Sequence, residues 1–256
     1  MADFSTSTDK TEAVTNADRL ADIIANAQDV RKRIDDQCAS VGRDPSSVTL
    51  IPVSKTKPAE DIQALYDAGY RHFGENYFQE LVDKAATLPK DIHWHFIGHL
   101  QSSKSAPLIR LVPNLAVVET VDSIKLATKL NNGCVISERA ALDIYIQVDT
   151  SGEDTKSGIL PAELSGLITQ ILAECPRLRI RGLMTIGAPG DMTCFDRLVE
   201  SAVDAQALLS PAAGDPATPP LQLSMGMSSD FEEAVTRGST SVRVGSTIFG
   251  ARNYAK

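Results

Sequence analysis

The feature that most constrains this chain is a regular alternation of short apolar runs and helical patterns. The runs are Val48–Ser54, Tyr70–Phe73, His93–Ile97, Leu115–Thr120, Leu142–Val148, Arg179–Met184, Leu221–Ser224 and Ser241–Val244. The helical patterns that follow them are Pro58–Ala68, Tyr77–Leu88, Ser102–Leu111, Ser123–Asn131, Pro161–Glu174, Phe195–Leu209, Asp230–Arg237 and Ser246–Ala251. Strand–helix alternation implies a parallel sheet with right-handed crossovers. Eight units in about 200 residues fit an α/β fold of the (β/α)8 TIM-barrel type. An open doubly wound sheet is the alternative. The barrel is preferred because no Gly-x-Gly-x-x-Gly loop opens the early helices.

Ahead of the first unit, Leu20, Ile23, Ile24, Ala27, Val30 and Ile34 recur at helical spacing, which predicts an extra N-terminal helix ending near Gly42. Residues 1–15 are polar and aperiodic, so a disordered tail is expected there and a single barrel domain over 16–256. Ser210–Pro220, rich in Pro and Ala, reads as a surface loop.

Composition excludes several classes of partner. The net charge of -8, from 25 basic and 33 acidic residues, argues against nucleic acid and anionic membranes. No stretch approaches the ~20 apolar residues of a membrane span. The four cysteines lack any CxxC or metal spacing and read as reduced core thiols. The first 15 residues have no arginine and no apolar core, so neither a transit nor a signal peptide is expected. A cytoplasmic monomer is the expectation, with a mitochondrial pool left open.

In a barrel the strand C-termini share one face, where active sites form. Lys55 follows the first run. An amine at the mouth of a buried strand is placed to stay neutral and to form a Schiff base with a carbonyl compound, although a strand-end lysine in water fits as well. The turns after the seventh and eighth runs, Ser224–Asp230 and Gly245–Thr247, are hydroxyl-rich and sit where barrels often bind phosphate. Helix capping by Ser228, Ser229 and Asp230 is the plainer alternative. Arg243 lies between Val242 and Val244, so period-2 alternation points it into the barrel mouth if the valines face outward. There it needs an acceptor, either an unprotonated ring nitrogen or a carboxylate. His93, His95 and His99 lack a metal-ligand pattern and read as hydrogen-bonded barrel residues. Asp61 and Glu80 read as helix-surface charges, and Trp94 as core.

Together, Ile51–Thr56, Phe73–Tyr77, Trp94–Lys104, Gly182–Thr185, Leu223–Asp230 and Val242–Ser246 closely resemble the pyridoxal phosphate homeostasis protein family, which is similar in fold to the barrel domain of alanine racemase. The resemblance runs from about Asp18 to Arg252. It implies that Lys55 carries pyridoxal 5'-phosphate (PLP) as a Schiff base. Ser228, Ser229, Gly245 and Ser246 would hold the phosphate, and Arg243 would lie by the pyridine nitrogen. Asn76 would stand beside the ring, with Met184 and Met225 packed nearby. Asp149 stands where many relatives are expected to carry asparagine.

An arginine at the pyridine nitrogen disfavours its protonation and so mutes the ring as an electron sink. The resemblance implies that racemases of this fold also need a β-rich domain supplying a catalytic tyrosine, and no such domain is expected after the eighth unit. The expected function is therefore to hold, buffer or deliver PLP, with effects on amino-acid pools, and not to act as an enzyme. PLP-dependent apoenzymes and small amino acids are the partners considered. A slow PLP-dependent racemase or other PLP enzyme, and a Lys-dependent aldolase, remain the alternatives.

Overall fold

The computed structural model describes residues 15–152, 157–209 and 219–251. The tail up to residue 14, Glu153, Lys156, residues 210–218 of the Pro/Ala-rich stretch, and Arg252 lie outside the described residues.

The chain opens with α1 (Asn16–Ser40), capped by Thr15, whose hydroxyl accepts from the Asp18 amide while Asp18 accepts from the Thr15 amide. Then follow β1 (Thr49–Pro52), α2 (Ala59–Asp67), β2 (His72–Glu75), α3 (Phe78–Thr87), β3 (His93–Phe96), α4 (Ser105–Leu111), β4 (Leu115–Val121) and α5 (Ile124–Ile136). The second half is β5 (Leu142–Gln147), α6 (Leu164–Glu174), β6 (Leu178–Met184), α7 (Thr193–Leu209), β7 (Gln222–Ser224), α8 (Phe231–Thr236), β8 (Ser241–Val244) and the short α9 (Ser246–Phe249). All pairings are parallel, in the order β1-β8-β7-β6-β5-β4-β3-β2. The ring closes weakly between β1 and β2, through a single bridge from Val53 to Gly74 and the Ser54 amide on the Gly74 carbonyl at 3.0 Å. The TIM-barrel expectation holds, with the extra N-terminal helix in place.

Outward-facing strand residues such as Leu50, Phe73, Trp94, Val118, Ile144, Val242 and Val244 join the helices in one apolar core. Trp94 is fully buried there. The lumen is different: Val117, Tyr145 and Met184 form a small apolar cluster of their own, beside the buried polar side chains His95, Glu119, Ser224 and Arg243. Helix α1 buries Ile23, Ala27, Val30, Ile34 and Cys38 and packs on α2, α8 and α9. Arg33 of α1 pairs with Glu232 at 2.8 Å, and Asn26 donates to the Ile248 carbonyl in α9 at 3.2 Å. The N-terminal helix thus braces the last turn of the barrel.

Four sequence expectations need correction. The second strand is His72–Glu75, two residues later than Tyr70–Phe73. Gly74 lies inside that strand, where a Cβ would come within 3.1 Å of Ile51 and 3.2 Å of Ile97. The helix expected over Ser123–Asn131 runs on to Ile136. Gly133, inside this helix, allows close approach to α4, where a Cβ would lie 3.0 Å from the Ala106 Cα. Asp61 is not a surface charge: it is 1% exposed and pairs with Arg19 of α1. Glu80 is tied into a buried network described below. Among the described residues no helix is long and apolar enough to cross a membrane.

Candidate functional site

The strand C-termini surround a cavity of about 340 Å³. That lies at the low end of the volumes typical of small-molecule sites. Its polar lining comes from Lys55, Asn76, Ser228, Ser229, Arg243, Gly245 and Ser246, and its apolar lining from Val53, Ile97, Met184, Ile186 and Met227. The structure therefore brings together every expected site residue except Met225, which is fully buried in the apolar core. Met227, two residues on, lines the cavity instead.

Alternation places Lys55. Val53 and Lys55 line the cavity, while Ser54 between them is fully buried on the other side, its hydroxyl donating to Glu75 Oε1 at 2.6 Å. Behind that turn lies a charge network from α3. Lys84 Nζ reaches the Ser54 carbonyl at 2.8 Å, Glu75 Oε1 at 2.6 Å and Glu80 Oε2 at 3.0 Å. Glu80 Oε2 in turn accepts from the Thr56 amide at 2.8 Å. Thr56 sits at φ +61°, a left-handed conformation that costs a non-glycine residue roughly 1–2 kcal/mol unless its surroundings hold it. The residues on both sides of Lys55 are thus fixed to the same buried ammonium. Burial raises the pKa of Glu75, and the charge and hydrogen bond of Lys84 oppose that rise.

Arg243 points into the lumen, as alternation predicts, and is 4% exposed. Its protein acceptors are not a carboxylate, one of the two acceptors expected. Nη1 donates to Ser224 Oγ at 2.6 Å and Nη2 to the Thr185 carbonyl at 2.7 Å. A carboxylate, Glu119, stands one hydrogen bond further on, accepting from Ser224 Oγ at 2.5 Å.

The hydroxyl-rich turns meet each other. Ser228 Oγ accepts from the Gly245 amide at 3.2 Å and the Thr247 amide at 3.4 Å. Asp230 does not cap α8 with its side chain; it accepts from the Met227 amide at 2.6 Å and so fixes the turn before Ser228. Hydroxyls and start-of-helix amides therefore converge on one end of the cavity, the arrangement that suits a phosphate. On the neighbouring wall Asn76 Oδ1 is a buried atom without a hydrogen-bond partner.

The remaining expectations fall outside the cavity. His95 bonds to Glu119 at 2.6 Å and His72 at 3.0 Å, as a hydrogen-bonded barrel residue. Asp149 organises its own turn, accepting from the Ser151 amide at 2.9 Å and the Ser151 hydroxyl at 2.7 Å. The sequence reading missed Lys84 and Glu75 as a unit. The i, i+4 spacing of Glu80 and Lys84 was the available signal.

A (β/α)8 barrel with a lysine at the end of its first strand and a phosphate-ready turn at its last defines an alanine-racemase-type barrel, and residues 19–253 match the family described as alanine racemase, N-terminal domain. Among curated proteins, the chain is 44% identical over 241 residues to the human pyridoxal phosphate homeostasis protein, covering 89% of this chain and 86% of that protein. It is 43% identical over 243 residues to the Escherichia coli protein of the same name, covering 93% and 100%. Among solved structures, PipY of Synechococcus elongatus with PLP bound is 35% identical with a TM-score of 0.67, covering 85% of this chain and 100% of that one. The chain belongs to the pyridoxal phosphate homeostasis protein family.

Proposed function

We propose that this chain binds PLP reversibly in the barrel cavity and serves intracellular PLP homeostasis by holding, buffering or delivering the cofactor. The observation that carries this reading is the convergence of Lys55, Arg243 and the Ser228–Gly245 turn on one cavity, with an orphaned Asn76 oxygen on its wall. These residues fit the group. PLP supplies an aldehyde that an amine can hold reversibly, a phosphate, and an aromatic ring with one basic nitrogen. Lys55 supplies the amine. Ser228, Ser229, Gly245 and Ser246 supply donors for the phosphate. Met184, Met227, Val53, Ile97 and Ile186 supply apolar surface for the ring. Arg243 supplies a fixed cation that keeps a nearby ring nitrogen from being protonated.

Holding rather than turnover is the reading proposed from the chemistry of the lining. Among the described residues that line the cavity, the titratable side chains are Lys55 and Arg243. Racemisation needs an acid and a base on opposite faces of the bound substrate, and an arginine that keeps its proton is a poor base. The chain is read as a binder of PLP that exchanges it with PLP-dependent apoenzymes and is perturbed by small amino acids.

The test is transfer. Purified chain loaded with PLP is mixed with a PLP-dependent apoenzyme, and separately with single amino-acid enantiomers. Gain of activity by the apoenzyme without loss of enantiomeric purity supports the reading. Racemisation or consumption of an amino acid at enzymatic rates would replace it with the catalytic alternative.

A further inference from the structure

We propose that Glu119 is a positioning residue for Arg243, acting through the Ser224 hydroxyl, and that His95 and His72 extend the same hydrogen-bonded string to the opposite mouth of the barrel. The proposal rests on the reading of the cavity as a PLP site.

The string crosses the lumen. β4 and β7 are separated in the sheet by β5 and β6, yet Glu119 on β4 and Ser224 on β7 meet at 2.5 Å. Barrel interiors are ordinarily filled by layers of branched apolar side chains, and a carboxylate with no exposure is unfavourable there unless it is fully partnered. Both Glu119 oxygens are partnered, Oε1 with His95 Nδ1 at 2.6 Å and Oε2 with Ser224. The direction of the bonds follows from the donor inventory. A guanidinium only donates, so Ser224 accepts from Arg243 at 2.6 Å and must spend its one proton on Glu119. With Nη2 on the Thr185 carbonyl, the guanidinium is held at two points, one of them backed by a negative charge.

The far end is a pair of imidazoles. His95 Nε2 and His72 Nδ1 lie 3.0 Å apart, one donating to the other. His72 opens β2 and stacks on His93, the exposed first residue of β3, with ring centroids 4.9 Å apart. The string therefore runs from the cavity to the strand N-termini. Other charged or titratable groups facing it are Tyr145 on β5, beside Glu119, and Asp230 ahead of α8, which acts on Arg243. Burial works to raise the Glu119 pKa, but the His95 hydrogen bond and the charges of His95 and Arg243 hold it below the usual range. Burial lowers the Arg243 pKa, with Glu119 and Asp230 opposing.

If Glu119 is the countercharge behind Arg243, removing it makes the cavity more positive and every protonation within it harder. The experiment is a pH titration of the visible absorbance of PLP bound to wild type, Glu119→Gln, Ser224→Ala and Val118→Ala. Val118 is a fully buried neighbour of Glu119 that faces the outer core. The expected result is a midpoint lowered by on the order of one pH unit in Glu119→Gln and shifted less in the same direction in Ser224→Ala. Val118→Ala is expected to lose thermal stability and keep the wild-type midpoint. Should Glu119→Gln fail to fold, Ser224→Ala decides. Wild-type midpoints in the Glu119 and Ser224 variants, or an equal shift in Val118→Ala, would overturn the inference and leave the cavity reading intact. A wild type with no PLP-dependent absorbance overturns both.

Discussion

The Lys84 ammonium donates to the Ser54 carbonyl at 2.8 Å, one residue ahead of Lys55, and to Glu75 Oε1 at 2.6 Å. A side chain on the outer helix layer thus fixes the backbone from which the cavity lysine projects. Removing one partner of a buried pair leaves an uncompensated charge. Lys84→Met is expected to cost about 3 kcal/mol in urea denaturation. It is also expected to weaken PLP binding by about tenfold, although Lys84 does not line the cavity. Adding Glu75→Gln should recover part of the stability, because the stranded carboxylate is then gone. Wild-type stability in Lys84→Met would show that the network carries no such role.

The proposed phosphate end should be separable from the proposed amine end. Ser228 Oγ sits between the Gly245 and Thr247 amides. A hydrogen bond to a charged group contributes about 1.5–3 kcal/mol, so Ser228→Ala is expected to weaken PLP binding by at least tenfold. Pyridoxal, which has the aldehyde and no phosphate, should bind the variant and the wild type alike. Parallel titrations with the two compounds check this; equal losses for both would move the phosphate site elsewhere.

Acid should unlock the bottom of the barrel. Burial, and then the neighbouring His95 and His93, lower the pKa of His72 from 6.5 to about 4. The unfolded chain therefore takes up this proton first as the pH falls. The stabilisation is complete above pH 6.5 and is lost between there and about pH 4. Discounted for partial exposure of the ring, it amounts to about 2 kcal/mol. Urea midpoints across this window should fall less steeply for His72→Gln than for wild type. Parallel pH profiles would assign the acid sensitivity to other groups.

Much of this was legible in the sequence, for definite reasons. Val242-Arg243-Val244 fixed the direction of Arg243 because alternation on a strand depends on backbone geometry alone. Lys55 and the two hydroxyl-rich turns were legible because barrel strands end on one face. What escaped depends on contacts between distant segments. Asp61 looks like a surface charge on its own helix and is buried only because α1 lies across it, bringing Arg19. The sequence carries no sign that Gly74 and Gly133 serve close packing inside a strand and a helix, because their neighbours come from other segments. Met225 and Met227 flank Gly226 in the same turn. Which one lines the cavity depends on how the chain leaves β7, which residue type does not encode. Glu119 and Ser224 are 105 positions apart in the chain, and nothing in either local pattern announces their 2.5 Å contact.

The proposed PLP site depends above all on Lys55 being the amine that holds the cofactor. The direct measurement is borohydride reduction of the PLP-loaded chain, followed by peptide mapping by mass spectrometry, with Lys55→Ala alongside. A reduced phosphopyridoxyl group is expected on Lys55 in the wild type, with no stoichiometric label in the variant. Full labelling of Lys55→Ala, or labelling of the wild type at another lysine such as Lys57, would contradict it.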